Sequence, residues 1–388
     1  MKLQIGGSPC THWSIARGAS RETQPEGIGW ELFENYLIAL YKFKPDYFLY
    51  ENNKSMAPAV RNKITEELGV EPVKINSSLV SAQNRQRLYW TNIPSVVQPS
   101  DRGILLRDVL STSSEVDRCY ELETTGLALS SREIDYMIRS TGRRNHFDFD
   151  YHKDATKDKA SCLTANTHKG VPYNVLIEPI RIGTINSGSK HPEHGSKQYR
   201  VYSVDGKSVT LCGEGGGMGA KTGLYAVPIT INIETGLKWP IYEVRDGSIL
   251  VDGNWYKVPI KDGFYIIRKL TVEECMRLQT IPDTFEFPVS ATQAYKMLGN
   301  GWTMEVIKHI LSYIPGIQDE PVDVLSMYDG MSTGMIALKD LGVDVRNYWA
   351  TEVDKYCIKT SKHNFPEIQH IGDAFSVRED DWTIGGYK

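Results

Sequence analysis

The chain has 388 residues, of which 40% are hydrophobic, 24% charged and 10% aromatic. These are globular values, and they exclude a fibre, a coiled coil or a largely disordered chain; the length favours two domains, or one large domain with a big insertion. The 44 Lys and Arg against 48 Asp and Glu give a formal charge of -4, which excludes a uniform basic coat for gripping phosphates.

The N-terminal segment reads as alternating strands and helices. Leu3 to Ile5 is a short strand running into Gly6-Gly7-Ser8-Pro9, Tyr47 to Tyr50 is an apolar strand ending at Glu51-Asn52-Asn53, and Leu88 to Ile93 is a third. Helical patterns at Trp30 to Tyr41 and Val60 to Leu68 lie between them, the second stopped by Gly69. This is α/β grammar. From about residue 95 to 265 the chain turns polar and rich in Gly and Ser, which predicts loops and small β-structure. After Ile267 helices return: Thr271-Val-Glu-Glu274 and Ser290-Ala-Thr-Gln293 each read as a capping box opening a helix. Last come a buried strand at Val322 to Met327, a glycine-bearing turn, and a helix closed by Gly342. Strands at Tyr348 to Thr351 and Ile368 to Ile371 follow.

Six cysteines, at 10, 119, 162, 212, 275 and 357, are scattered without a C-x-x-C pair or clustered Cys/His spacing, so neither a metal site nor a disulfide framework is expected. The first residues do not form a signal peptide, and no run approaches 18 apolar residues. A reduced, cytoplasmic protein is expected.

The chemistry gathers at strand ends. Tyr328-Asp329-Gly330, followed by Gly334, lets a backbone approach a ligand in front of a helix, but it is neither a full G-x-G-x-x-G nor a P-loop. Glu352 ends the next strand, 18 residues after Gly334, where a carboxylate can accept from ribose hydroxyls. Asp373 ends the third, placed to accept from an adenine amine. Adenosine without phosphate fits these parts, and S-adenosylmethionine is such a cofactor; the plain alternative is an acidic residue merely ending each strand. Cys10 sits at the mouth of a strand-to-loop turn. A lone Cys is as a rule a small buried hydrophobe, but Glu51, Arg85 and Arg87 end or precede neighbouring strands, and that convergence makes catalysis the better reading.

The segments GGSPC, ENN, QNRQR, RKLTVEECMRLQTIP, LGNGWT and DVLSMYDGMSTG together resemble the cytosine-C5 DNA methyltransferases. In motif flavour they are most similar to the animal de novo enzymes and their phage and prophage relatives. The resemblance covers about residues 1 to 94 and 266 to 380. It implies a Rossmann-like S-adenosylmethionine-dependent methyltransferase sheet with helices on both faces, and a smaller, mostly-β target-recognition domain. On that basis 1–94 and 266–388 form the catalytic and cofactor-binding domain and 95–265 the target-recognition domain. The family places the cofactor loop first and the Pro-Cys strand fourth; here the order is reversed, as in a circular permutation.

The resemblance implies roles as well. Cys10 is the nucleophile at cytosine C6, Glu51 bonds N3, and Arg85 or Arg87 neutralises O2 and supplies charge near the thiolate. Tyr328, Asp329, Gly330, Met331, Ser332 and Thr333 surround the cofactor with Glu352, Val353, Asp373 and Ala374. Leu32, Asn300, Gly301 and Trp302 complete the cleft, although Trp302 could equally be core. The base is flipped out of duplex DNA. Ser14, Ile15 and Arg17 lie in a loop matching the family's mobile catalytic loop, and Thr210, Leu211 and Gly217 match its major-groove element. Arg132, Arg139, Arg143 and Arg144 are candidate phosphate contacts or an ordinary solvated face. Double-stranded DNA is the expected partner, with no metal, no membrane and a monomer on the DNA. A tRNA cytosine methyltransferase is the alternative of like chemistry, but its Cys-Phe-Thr element is absent. An inactive DNA-binding paralogue is a third reading, opposed by the retained Cys10, Glu51 and both arginines.

Overall fold

The computed structural model describes residues 1–14, 20–111, 181–184, 200–213, 223–229, 241–251, 253–258, 260–268 and 270–384. The chain divides into two compact units, one of Met1–Val80, Arg85–Ser100 and Gln279–Lys388, the other of Ser81–Asn84 and Asp101–Leu278. In chain order the first unit begins with β1 (Lys2–Gly6), α1 (Gly27–Phe43), β2 (Tyr47–Asn53), α2 (Pro58–Leu68), β3 (Val73–Asn76) and β4 (Gln86–Thr91). The second unit carries β5 (Arg181–Thr184), β6 (Arg200–Ser203), β7 (Leu224–Ile229), β8 (Tyr242–Arg245), β9 (Ser248–Val251), β10 (Asn254–Lys257), β11 (Gly263–Arg268) and α3 (Val272–Leu278). Then α4 (Ala291–Asn300), α5 (Met304–Leu311), β12 (Val322–Met327), α6 (Thr333–Asp340), β13 (Val345–Thr351), α7 (Lys355–Asn364) and β14 (Gln369–Gly372) complete the first.

The local reasons are visible in the residues. α1 buries Phe33, Tyr36, Leu37 and Phe43, the spacing of one helical face, and ends where Lys44 turns left-handed and donates its N–H to Leu40. α2 starts on Pro58 and stops at Gly69, whose φ of 68° suits a residue without Cβ. The Thr271 box closes as expected: Glu274 N–H donates to Thr271 Oγ1 at 3.1 Å, and Thr271 N–H to Glu274 Oε2 at 2.8 Å. The Ser290 box does not. Ser290 is the N-cap of α4, but its hydroxyl makes no cap bond, and Gln293 N–H donates to the Ser290 carbonyl instead. Strand β3, not expected from the sequence, pairs antiparallel with β4.

The seven strands of the first unit run in the order β14-β13-β12-β1-β2-β4-β3. All neighbours are parallel except β4, which is antiparallel to both β2 and β3. Every residue of β12 is buried, as a central parallel strand requires. The chain progresses in opposite directions on the two sides of the β12–β1 pair, so that pair is the topological switch point. In open α/β sheets the crevice beyond the carboxyl ends of such strands is where ligands bind. α6 crosses β1 closely: a Cβ on Gly334 would lie 2.2 Å from Ile5 Cδ1 and 2.9 Å from Tyr348 Oη.

The second unit is a sheet in the order β10-β9-β8-β11-β7-β6-β5, antiparallel except between β6 and β7. Its core includes Val201, Leu224, Ala226, Val244, Ile249 and Ile267. The amine of Lys207 is drawn inside, donating to the carbonyls of Ser81 and Ile104, which satisfies a group that could not otherwise be buried. Among the described residues no helix is long and apolar enough to cross a membrane. No group of three or more His, Cys, Asp or Glu among them could hold a metal ion.

Candidate active site

Beyond its last residue, β1 turns sharply against β2. A Cβ on Gly7 would stand 2.7 Å from the Glu51 carbonyl oxygen and 3.0 Å from Glu51 Oε2, so glycine permits the approach. The turn is then tied down by β2 itself. Asn52 Nδ2 donates to the Ser8 carbonyl at 3.1 Å and to Tyr50 Oη at 3.2 Å, and Ser8 Oγ bonds Tyr50 Oη at 2.7 Å. Cys10 follows at the head of a 3-10 turn, Cys10–His12, with its carbonyl accepting the N–H groups of Trp13 and Ser14. Its side chain is half-buried, whereas Cys275 and Cys357 are buried. Downstream, Glu22 joins His12 Nδ1 at 3.1 Å to the Gly29 N–H in the first turn of α1, also at 3.1 Å.

Glu51 points to the same edge and is held on both oxygens. Arg87 Nε is 2.9 Å from Oε1, and the Trp302 indole N–H donates to Oε2 at 3.0 Å. The ladder accounts for the first contact: Arg87 pairs with Asn53, two residues along β2 from Glu51 and on the same face. Arg85 does something else. Its Nη2 donates to the carbonyls of Gly299 at 3.0 Å and Gly301 at 2.8 Å, pinning the turn that presents Trp302. Burial, then the like charge of Arg87, push its guanidinium down to about 10, with Glu51 and Cys10 acting in the opposite direction. The two arginines, offered by the sequence as alternatives for one role, therefore have different partners. Gln279 adds to the turn by donating to Leu298 and Gly301, and Thr303 links Gln279 Oε1 at 2.8 Å to Ser77 Oγ, also at 2.8 Å.

At the end of β12 the backbone is left-handed three times in five residues, with φ of 61° at Tyr328, 61° at Gly330 and 64° at Ser332. Two of these are not glycine, so neighbours must hold the strain. Asp329 does this from below: buried, it accepts from Tyr348 Oη at 2.7 Å and Ser332 Oγ at 2.5 Å. Burial pushes its carboxyl up to about 6. Ser332 Oγ also bonds Ser361 Oγ at 2.6 Å, which in turn reaches His370 Nε2 at 3.2 Å. From above, Gly330 N–H donates to Glu352 Oε2 at 2.8 Å, while Glu352 Oε1 accepts from the N–H groups of Val353 and Asp354. Tyr328 Oη donates to the Leu32 carbonyl at 2.6 Å.

The expected cofactor residues thus divide. Glu352 and Val353 stand at the carboxyl edge, Val353 being 69% exposed although aliphatic. Met331, Ser332, Thr333 and Ala374 are buried, and the Asp373 carboxylate caps the 3-10 turn Ala374–Arg378 by accepting from Phe375 N–H at 3.0 Å. A carboxylate beside an exposed aliphatic surface and a left-handed glycine suits a ribose and an apolar ring. In the second unit, Thr210 Oγ1 donates to the Asn84 carbonyl, and Leu211 is buried. Ile15, Arg17, Gly217, Arg132, Arg139, Arg143 and Arg144 lie outside the described residues. No role was expected of Asn52, although it lies in the quoted ENN, nor of Gln279 or Tyr348, because the turn or loop that each one holds lies 19 or more residues away in the chain.

Residues 1–315 match the model of the C-5 cytosine-specific DNA methylase family. The chain is 25% identical over 252 residues to the orphan methyltransferase M.Rho11sI of Bacillus phage rho11s, covering 60% of this chain and 48% of that protein. It is 24% identical over 371 residues to the orphan methyltransferase M.SPRI of Bacillus phage SPR, covering 79% and 81% respectively. Against the type II methyltransferase M.HhaI of Haemophilus parahaemolyticus it is 28% identical over 326 residues, covering 79% and 74%. It spans about half the length of the first of these and most of the other two.

Proposed function

The chain belongs to the family of C-5 cytosine-specific DNA methylases, and from that premise we propose that it methylates C5 of a cytosine flipped out of duplex DNA. The observation that carries this reading is the meeting, at one sheet edge, of the Cys10 turn with a Glu51 carboxylate gripped on both oxygens. S-adenosylmethionine, the methyl donor, supplies an electrophilic methyl on a sulfonium. Glu352, Val353 and the Tyr328–Thr333 loop would hold it.

Cytosine C5 is a weak nucleophile. Addition of the Cys10 thiolate to C6 forms an S–C6 bond and moves electron density to C5, with negative charge spreading to N3 and O2. Glu51 answers the charge at N3 by sharing a proton with it, and the cation of Arg87 at its side answers the charge near O2. Arg85 contributes a buried cation within electrostatic range of Cys10, while its hydrogen bonds serve the 299–301 turn. Once C5 carries the methyl group, its proton leaves to a base, for which water is our candidate. The electron pair re-forms the C5–C6 double bond and expels the thiolate.

In this reading residues 1–94 and 266–388 perform the chemistry, and 95–265 read the target, with Ser14, Ile15, Arg17, Thr210 and Gly217 facing the DNA; Leu211, expected beside them, is buried and does not. The protein works as a monomer on DNA, in the cytoplasm of a bacterial or phage-infected cell. We also read the chain as circularly permuted. The Cys10 strand β1 precedes β12 in the chain and pairs with it in the middle of the sheet, the reverse of the order the family's motifs take.

The test is incubation with labelled S-adenosylmethionine and duplex DNA, followed by bisulfite sequencing. 5-Methylcytosine is expected in DNA and is abolished by Cys10→Ala. Label on tRNA and none on DNA would replace the reading with the tRNA alternative.

A further inference from the structure

We infer that Trp302 is a positioning residue for the Glu51 carboxyl, acting through its indole N–H and not as a wall of the cofactor cleft. The inference rests on the proposed function, in which Glu51 meets cytosine N3.

A carboxylate held on one oxygen can still swing about its last bond. Glu51 is held on both, by Arg87 at 2.9 Å and by Trp302 at 3.0 Å, so the plane of the group is fixed before any base arrives. The indole donor is itself rigidly presented. Arg85 grips the carbonyls on either side of Asn300, Gln279 grips those of Leu298 and Gly301, and Thr303, next in the chain, bonds both Gln279 and Ser77. Such a set of bonds to one short turn is more than an apolar wall would need. It is what a directed hydrogen bond to one oxygen requires, since a donor works by being fixed where the charge must sit. The missing Cβ of Gly7 clears the other side, because any Cβ there would stand 3.0 Å from the oxygen that Trp302 holds.

Trp302→Phe keeps an aromatic ring and removes only the donor. Single-turnover methyl transfer is expected to slow on the order of 10- to 100-fold, while the Kd for S-adenosylmethionine, measured by calorimetry, stays within about twofold and so certifies the fold. In a Glu51→Gln background the same substitution costs less than about twofold, because the oxygen it acts on has changed. Trp302→His, which retains a ring N–H, recovers part of the rate. A Phe variant as fast as wild type, a His variant no faster than the Phe one, or a fall in cofactor affinity that is equal in both backgrounds would overturn the inference and leave the methylation reading standing. A wild-type chain that places no methyl on DNA would overturn both.

Discussion

Asn52 holds the turn that bears the proposed nucleophile, Cys10, as Trp302 is proposed to hold the carboxyl. Its amide reaches the Ser8 carbonyl and Tyr50 Oη in a buried setting, so Asn52→Ala leaves two buried acceptors short of a donor and costs about 1–3 kcal/mol. Because the loss falls on the turn bearing Cys10, the trapped adduct with a DNA carrying a C5-fluorinated cytosine is expected to form more slowly, with cofactor affinity unchanged. Equal adduct rates in both proteins would remove Asn52 from the site. Asp329 gives a prediction in pH. Its folded proton affinity is raised, to about 6, so it binds more protons folded than unfolded between about pH 4 and 6, and its contribution to stability falls as pH rises through that window. The loss amounts to about 3 kcal/mol above it. Asp329→Asn removes this term, so the difference in unfolding free energy, variant minus wild type, grows from pH 4 to pH 6 and then levels; a flat difference would refute the assignment. That Cys10 and Glu51 stand at one sheet edge is legible because each belongs to a short motif at the exit of a strand, Cys10 four residues past β1 and Glu51 near the end of β2. The unequal duties of Arg85 and Arg87 are not, since what separates them is a turn 214 residues away.

Among the elements, α6 is the one whose seating on β1 shapes the edge proposed to hold the cofactor. Gly334→Ala would drive its Cβ into Ile5 Cδ1 at 2.2 Å, and both Ile5 and Tyr348 are buried, so the helix must lift, at about 1–3 kcal/mol. The Tyr328–Thr333 loop ends in that helix, so cofactor affinity is expected to fall along with the denaturation midpoint. Ile5→Val removes the colliding methyl and should restore much of both in the double variant; a double variant as weak as Gly334→Ala alone would place the strain elsewhere. α3 offers a second test. Glu274 is buried and accepts backbone N–H bonds from Thr271 and from Ser111, at 2.8 and 2.9 Å. Glu274→Ala strands both donors, at about 2 kcal/mol, seen as an earlier denaturation midpoint; an unmoved midpoint would mean that water replaces the carboxylate. Long elements with a clear period were readable from the sequence, because α1, β2 and β12 bury what their patterns say. β3 was not. Val73-Lys-Ile-Asn76 is four residues at a sheet edge, too short to carry a period, and it exists because β4 pairs with it. The Ser290 box failed for a related reason: its residues permit a cap, but the backbone carbonyl took the N–H.

At the scale of the whole molecule, charge and connectivity meet. Residues 315 to 388 hold 7 Lys and Arg against 13 Asp and Glu, leaving 37 against 35 in residues 1 to 314. The acid surplus of the net -4 thus sits in the segment proposed to bind a cationic sulfonium, and the near-neutral remainder suits local rather than blanket contact with phosphates. That acidic segment supplies β12, β13 and β14, yet it pairs through β12 with the first strand of the chain. If the order is a permutation, the fold should not depend on where the chain opens. The last turn of α1 touches both an early and a late segment: Lys2 Nζ donates to the Phe43 carbonyl at 2.9 Å, and Lys42 Nζ donates to the Glu379 carbonyl at 2.7 Å. The reordered chain joins residue 388 to residue 1 through a Gly/Ser linker of about ten residues, whose r.m.s. span is about 18 Å. The new opening falls between Asp319 and Glu320, where the first residue's amine reaches Glu320 Oε2 at 3.3 Å and the Pro321 carbonyl at 3.2 Å. Opening there loses only exposed bonds, which are worth little. The reordered chain is expected to bind S-adenosylmethionine within about threefold of the original and to methylate the same cytosines, because every strand keeps its neighbours. A control with the same linker merely appended to residue 388 separates the effect of the linker from that of the new order. If the control is active and the reordered chain does not fold, the sheet depends on this particular order, and the permutation reading fails.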